Sequence, residues 1–166
     1  MGICSHEFLQ YVIQPTLRQL GVQSENAEQL LLATANFQSG LGQHLQQKNG
    51  IGVYGISEEM HREVWDKYIA FDPDLASQIR GMASQHEFPK APHCELATNL
   101  SYATAIAWLI YQYHGVKIPD AQDTASLAEC WQLYFREKPA SEHEVAEFIR
   151  SFNQLIQSKT ATSLAA

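Results

Sequence analysis

The apolar residues of this chain recur at three- and four-residue spacing, and Ser, Asp, Gly and Pro mark the breaks between the runs. Phe8, Leu9, Val12, Ile13, Leu17 and Leu20 form one face of a helix that opens at Ser5 and stops at Gly21, and Pro15 should kink it or split it in two. A second helix follows the Ser24 cap, with Glu25 and Glu28 in its first turn, where the helix dipole favours acids. Leu30, Leu31, Leu32, Ala35 and Phe37 make it too apolar for an exposed surface. Gly40 and Gly42 end it, which places Gln38 and Ser39 on its last turn. The polar run from Gln43 to Asn49 reads as a loop over a cleft. The run from Gly50 to Ile56 then alternates Gly with Ile, Val and Tyr, the pattern of a short strand that another backbone or a ligand approaches closely.

Ser57 caps a third helix with Met60, Val64, Trp65, Tyr68 and Ile69 on one face, and Asp72-Pro-Asp opens a fourth. Two prolines and no periodicity make the segment from Gln85 to Glu95 a surface loop. The stretch from Leu96 to Tyr113 is the most apolar in the chain; it is too polar to span a bilayer and reads as a central buried helix ended by Gly115. A helix from Asp123 or Thr124 runs through Trp131 to Arg136, Pro139 breaks it, and Ser141 with Glu144 forms a capping box for the last helix. The expected fold is therefore mainly α: a single domain over residues 1–158 of about seven helices, a small strand or hairpin near Gly52 to Ile56, and a frayed tail over residues 159–166.

With 166 residues and a net charge of −7, the chain can bury a sizeable core, and no basic run offsets its acidity. That balance argues against general nucleic-acid or anionic-membrane binding. Cys4, Cys94 and Cys130 form no CxxC pair and are odd in number, favouring free thiols in a reducing compartment. No basic-plus-apolar leader precedes Glu7, so the expected location at synthesis is the cytoplasm, with a virion as a later destination. His86, His93 and Cys94 share one loop but lack a fourth zinc ligand, so neither metal nor cofactor is expected.

A helix ending in Gln38-Ser39-Gly40, about a dozen residues, and then Gly52-Val-Tyr-Gly-Ile56 resembles the lysozyme-like fold of soluble lytic transglycosylases and goose-type lysozymes, above all its small phage-encoded members. The later segments LATNLSYATAIAWLIYQYHG and CWQLYFREKPASEHEVAEFIRSF are similar to that group, so the resemblance spans residues 8–152. It implies a catalytic Glu where this chain has Gln38, a strand Gln where it has Gly55, and, in one register, an Asn where it has Arg136. Glycosidic cleavage in such a cleft needs a carboxylic acid to protonate the leaving oxygen and then take a proton back. A Gln amide is nearly isosteric and does neither.

The resemblance thus implies a phage- or prophage-derived lysozyme-like protein without muramidase or transglycosylase activity, serving as a structural or glycan-binding component. Its partners would be peptidoglycan or a chitooligosaccharide-type glycan, or other virion proteins. Gln38, Ser39, Tyr54, Gly55 and Tyr102 are the expected groove residues. Trp65, Trp108, Tyr111 and Trp131 fall on apolar helical faces and read as core. One alternative is an active enzyme in which Glu58 or Glu59 supplies the acid, although the first turn of a helix favours the carboxylate, which has no proton to give. Another is a helical protein-interaction module. Ser39 as a nucleophile, with His44 or His61 as base, lacks the strained elbow that such chemistry uses.

Overall fold

In the computed structural model, which describes residues 2–164, helices dominate and the only regular strands among those residues form one short antiparallel hairpin. The first helix, α1 (residues 5–19), is continuous through Pro15. Its turns widen to a π-helix over Leu9–Ile13, and the Gln14 N–H donates to the Leu9 carbonyl. A proline has no N–H to give and its ring crowds the carbonyl four residues back; the widened turn just before it accommodates both without splitting the helix.

Helix α2 (Glu25–Ser39) opens at Ser24, whose Oγ accepts the Ala27 N–H, and closes at Gly40 in the left-handed conformation, φ 60°. Strands β1 (Gln46–Gln47) and β2 (Gly50–Ile51) follow, paired Gln46 to Ile51 and Gln47 to Gly50. The pairing thus lies earlier than the Gly52 to Ile56 strand expected from sequence, and β1 falls inside the segment read as loop. Gly52 and Gly55 both adopt positive φ, 78° and 59°, which folds residues 52–55 into a tight turn. Ile56 returns only as an isolated bridge to Ile51.

Ser57 caps α3 (Glu58–Lys67), and Asp72 caps α4 (Pro73–Met82) through the Asp74 and Leu75 N–H groups. The apolar stretch expected to be one helix from Leu96 is divided: α5 (Glu95–Thr98) ends at Asn99, whose side chain then accepts the Tyr102 N–H and starts α6 (Leu100–Tyr113). Every residue from Tyr102 to Tyr111 is buried, so α6 is the central helix. Helix α7 (Thr124–Tyr134) stops short of Arg136. The Ser141–Glu144 capping box opens α8 (Glu142–Leu164), which continues as helix through the segment read as a tail; Ala165 and Ala166 lie outside the described residues.

Two contacts fix α6 within the core: Tyr111 Oη lies 2.9 Å from Thr34 Oγ1 on α2, and Tyr54 Oη lies 3.1 Å from Thr104 Oγ1. On the far side Phe37 (α2), Trp131 (α7) and Phe148 (α8) pack ring on ring, with centroids 4.8 and 4.9 Å apart about Trp131. The three cysteines are free; Cys4 and Cys94 are exposed, and burial pushes the Cys130 thiol up to about 11. Among the described residues no helix is long and apolar enough to cross a membrane.

Candidate functional site

The end of α2, the hairpin, the start of α3 and the connection from α7 to α8 enclose an open groove of about 700 Å³. Gln38 and Gly55 both line it and face each other closely: a Cβ built on Gly55 would lie 3.5 Å from the Gln38 Cβ. Gln46, Gln47 and Asn49 add amides from the hairpin, and Glu58 and Glu59 add carboxylates from the first turn of α3. The opposite wall is made by Phe135, Arg136, Glu137 and Lys138.

Of the residues expected in the groove, Gln38, Gly55 and Glu58 are there and three are not. Tyr54 is fully buried, its hydroxyl held on Thr104, because the turn at 52–55 directs it inward against α6; burial raises its pKa. Tyr102 is also buried, one turn into α6, and its oxygen lies 2.7 Å from His61 Nε2 and 2.8 Å from Trp65 Nε1. Neither ring has a face for a sugar. Ser39 is 3% exposed and serves as a tie: its Oγ lies 2.7 Å from the Val53 carbonyl, which it donates to, and accepts the Gly42 N–H at 2.9 Å. Its hydroxyl bonds to no histidine among the described residues, so the nucleophile reading has no base; His44 reaches Ser39 only through its backbone N–H, and His61 is committed to Tyr102 and His93.

Two groove residues were not singled out from the sequence. Glu137, in the connection after α7, accepts from Ser57 Oγ at 2.7 Å, while the same Oγ accepts the Met60 N–H at 3.0 Å; one hydroxyl thus caps α3 and ties the two walls together. Eighty residues separate the partners, and no local pattern marks such a pair. Arg136 lines the groove, but Glu144 holds it at 2.9 Å and its guanidinium lies over the Trp131 ring, 5.3 Å from the centroid.

Gln47 is the second. Its Nε2 donates to the His44 carbonyl at 2.7 Å and more weakly to the Gly52 carbonyl at 3.3 Å, which fixes how the amide is turned. Its Oε1 is consequently a buried acceptor with no hydrogen-bond partner among the described residues, and it lies 3.3 Å from where a Gly55 Cβ would be. An orphaned buried acceptor costs about 1–3 kcal/mol, a cost that a ligand N–H would relieve.

Behind α3 lies a second polar cluster. His61 is buried between Tyr102 and His93, with Nδ1 to Nδ1 at 2.8 Å between the two histidines. Burial, then the neighbouring His93 and Arg62, depresses its pKa to about 3. The unfolded chain therefore takes up a proton below pH 6.5 that the folded chain refuses down to about pH 3. Stability should be full above 6.5 and fall through that window, with His61 contributing up to about 4–5 kcal/mol of the loss. Urea unfolding followed against pH checks this; His61→Phe should flatten the acid limb, and an unchanged limb would show that carboxylates alone set it.

Among the described residues no three or more His, Cys, Asp or Glu side chains are grouped to hold a metal ion. Compared with family models, with curated proteins and with solved structures, the chain matches none.

Proposed function

We propose that the chain is a phage- or prophage-derived lysozyme-like protein whose groove holds an N-acetylated glycan strand without cleaving it. The observation that carries the reading is the pair of amides at the groove, Gln38 and Gln47, the latter with its buried Oε1 unpartnered. An acetamido group offers one N–H donor and one carbonyl acceptor. Gln47 Oε1 matches the donor, and the Gln38 amide N–H matches the acceptor. The groove's three cations, Lys48, Arg136 and Lys138, are balanced by Glu58, Glu59 and Glu137, as suits a neutral polymer rather than a polyanion.

The resemblance in the sequence places the general acid of an active relative at Gln38, and a Gln has no proton to deliver. Glu58, the alternative acid, is exposed at the first position of α3. An interaction module would favour a continuous apolar or single-sign face, whereas this lining mixes amides, apolar side chains and charges of both signs.

The test is a titration of labelled protein with chitotetraose, followed by amide resonances. Shifts centred on Gln38, Gln47 and Gly55, with no muropeptide released from peptidoglycan, are the expected result. Resonances that stay still at millimolar sugar remove the glycan reading, and release of muropeptides by the unaltered protein makes it an enzyme.

A further inference from the structure

A second cavity, of about 490 Å³, opens on the other side of α3, within the usual range for small-molecule sites. Its walls are the rings of Trp65 and Phe88, 5.7 Å apart, with Pro89 and Pro92. Arg62, Asp66 and Arg80 stand around them, and His61 and His93 close one side. Neither arginine has a carboxylate within ion-pairing distance among the described residues, in a chain with a net charge of −7. The Arg80 guanidinium instead lies over both rings, 6.0 Å from the Trp65 centroid and 5.7 Å from that of Phe88.

The hydrogen bonds along the closed side have one consistent direction. The Trp65 indole N–H is a donor only, so the Tyr102 oxygen accepts it. With no other acceptor for it among the described residues, the Tyr102 hydrogen goes to His61 Nε2, which puts the His61 proton on Nδ1, where it donates to His93 Nδ1. A neutral His93 must accordingly carry its own proton on Nε2. That N–H lies 4.0 Å from Glu58 Oε2, beyond hydrogen-bond length. The lining therefore presents donors at His93, Arg62 and Arg80 and a single carboxylate at Asp66. Glu95, the nearby buried acid, is held by Asn99 at 3.0 Å and is not part of the lining.

We propose that this cavity binds a small aromatic monocarboxylate, its ring against Trp65, Phe88 and the two prolines and its carboxylate on Arg80, Arg62 and His93 Nε2–H. Within the lining two arginines face one carboxylate, Asp66, with Glu58 just outside it 4.0 Å from His93 Nε2, so the site suits a single negative charge rather than a phosphate dianion. The site is separate from the groove and does not depend on what the groove binds.

Naphthoate and its uncharged analogue naphthamide are the probes, titrated into the full chain labelled with nitrogen-15. Naphthoate should move the Trp65 indole resonance and the amides around Phe88 and His93, and naphthamide should bind roughly tenfold more weakly or worse, the value of one charge-assisted hydrogen bond. Arg80→Gln, at an exposed position that leaves the core untouched, should weaken naphthoate about as much as removing the charge from the probe. Equal binding of acid and amide, no effect of Arg80→Gln, no shift at Trp65 by ten millimolar, or shifts centred on Gln38 and Gly55 would each overturn the proposal.

Discussion

Gln38→Glu should release muropeptides from purified peptidoglycan, and on the proposed reading the unaltered protein beside it should release none. The substituted side chain keeps its length and position at the end of α2, within the groove lined by Glu58, Glu59 and Glu137. Partial burial favours the protonated form of a new carboxyl, which is the form a general acid needs. A positioned acid contributes about 10²–10⁴ in rate, and the lower end is the appropriate expectation here. The reason is Gly55, which sits at φ 59° directly across from Gln38. A glutamine at that position would be strained in this backbone, so the second departure from the lysozyme-like pattern is one of backbone shape as well as side chain. Release by Gln38→Glu alone means that the groove still holds substrate in a productive pose. Silence from both proteins confines the groove to binding, and release by the unaltered protein would show that another residue carries the proton.

Gly52→Ala should cost more than about 3 kcal/mol, a large part of the 5–15 kcal/mol that holds a typical domain together. Gly52 adopts φ 78°, and a Cβ there would sit 1.7 Å from the Leu96 carbonyl oxygen and 2.5 Å from its carbon. The obstacle is backbone of α5, which cannot rotate away as a side chain would. Gly21→Ala is the control. Gly21 has nearly the same φ, 74°, but nothing within 4 Å of the added carbon, so it should show only the left-handed penalty of about 1–2 kcal/mol. Urea unfolding of the two variants separates conformational strain from collision. Equal losses would mean that the turn at residues 52–55 does not pack against α5 as described.

The helices were legible because their signals are local. Ser24, Ser57, Asp72 and the Ser141–Glu144 box each bond to N–H groups two or three residues away, whereas Ser5, expected as a cap, is the first helical residue behind Cys4 and caps nothing. Asn99 was passed over because it sits inside an apolar run, where hydrophobicity outweighed its capping chemistry. Pro15 predicts a kink or a split, because a π-turn has no sequence mark beyond the proline itself.

The groove was legible on one side only. Gln38 and Gly55 lie close in sequence to the helix end and the glycine turn that position them, and the structure brings them together. Tyr54 and Tyr102 were placed wrongly for one physical reason. An aromatic beside a glycine turn or at a helix start has two faces available to it, and only the packing of α6 against that turn decides which is used. The wall built by Phe135 to Lys138 depends on contacts across some eighty residues, as Ser57 and Glu137 show, and periodicity carries no information at that range.

The Ser57–Glu137 bond also bears on the order in which the molecule comes together. The hairpin and the ends of α2 and α3 are neighbours along the chain, so their loops close early and at small entropic cost. The facing wall arrives only when the connection after α7 docks, late in the chain and across a long closure. The expected order in refolding is therefore that the hairpin side of the groove gains protection before the wall at residues 135–138 does. On the proposed glycan reading, recognition needs both walls, and the appearance of sugar binding in a refolding experiment would time the docking of the connection after α7.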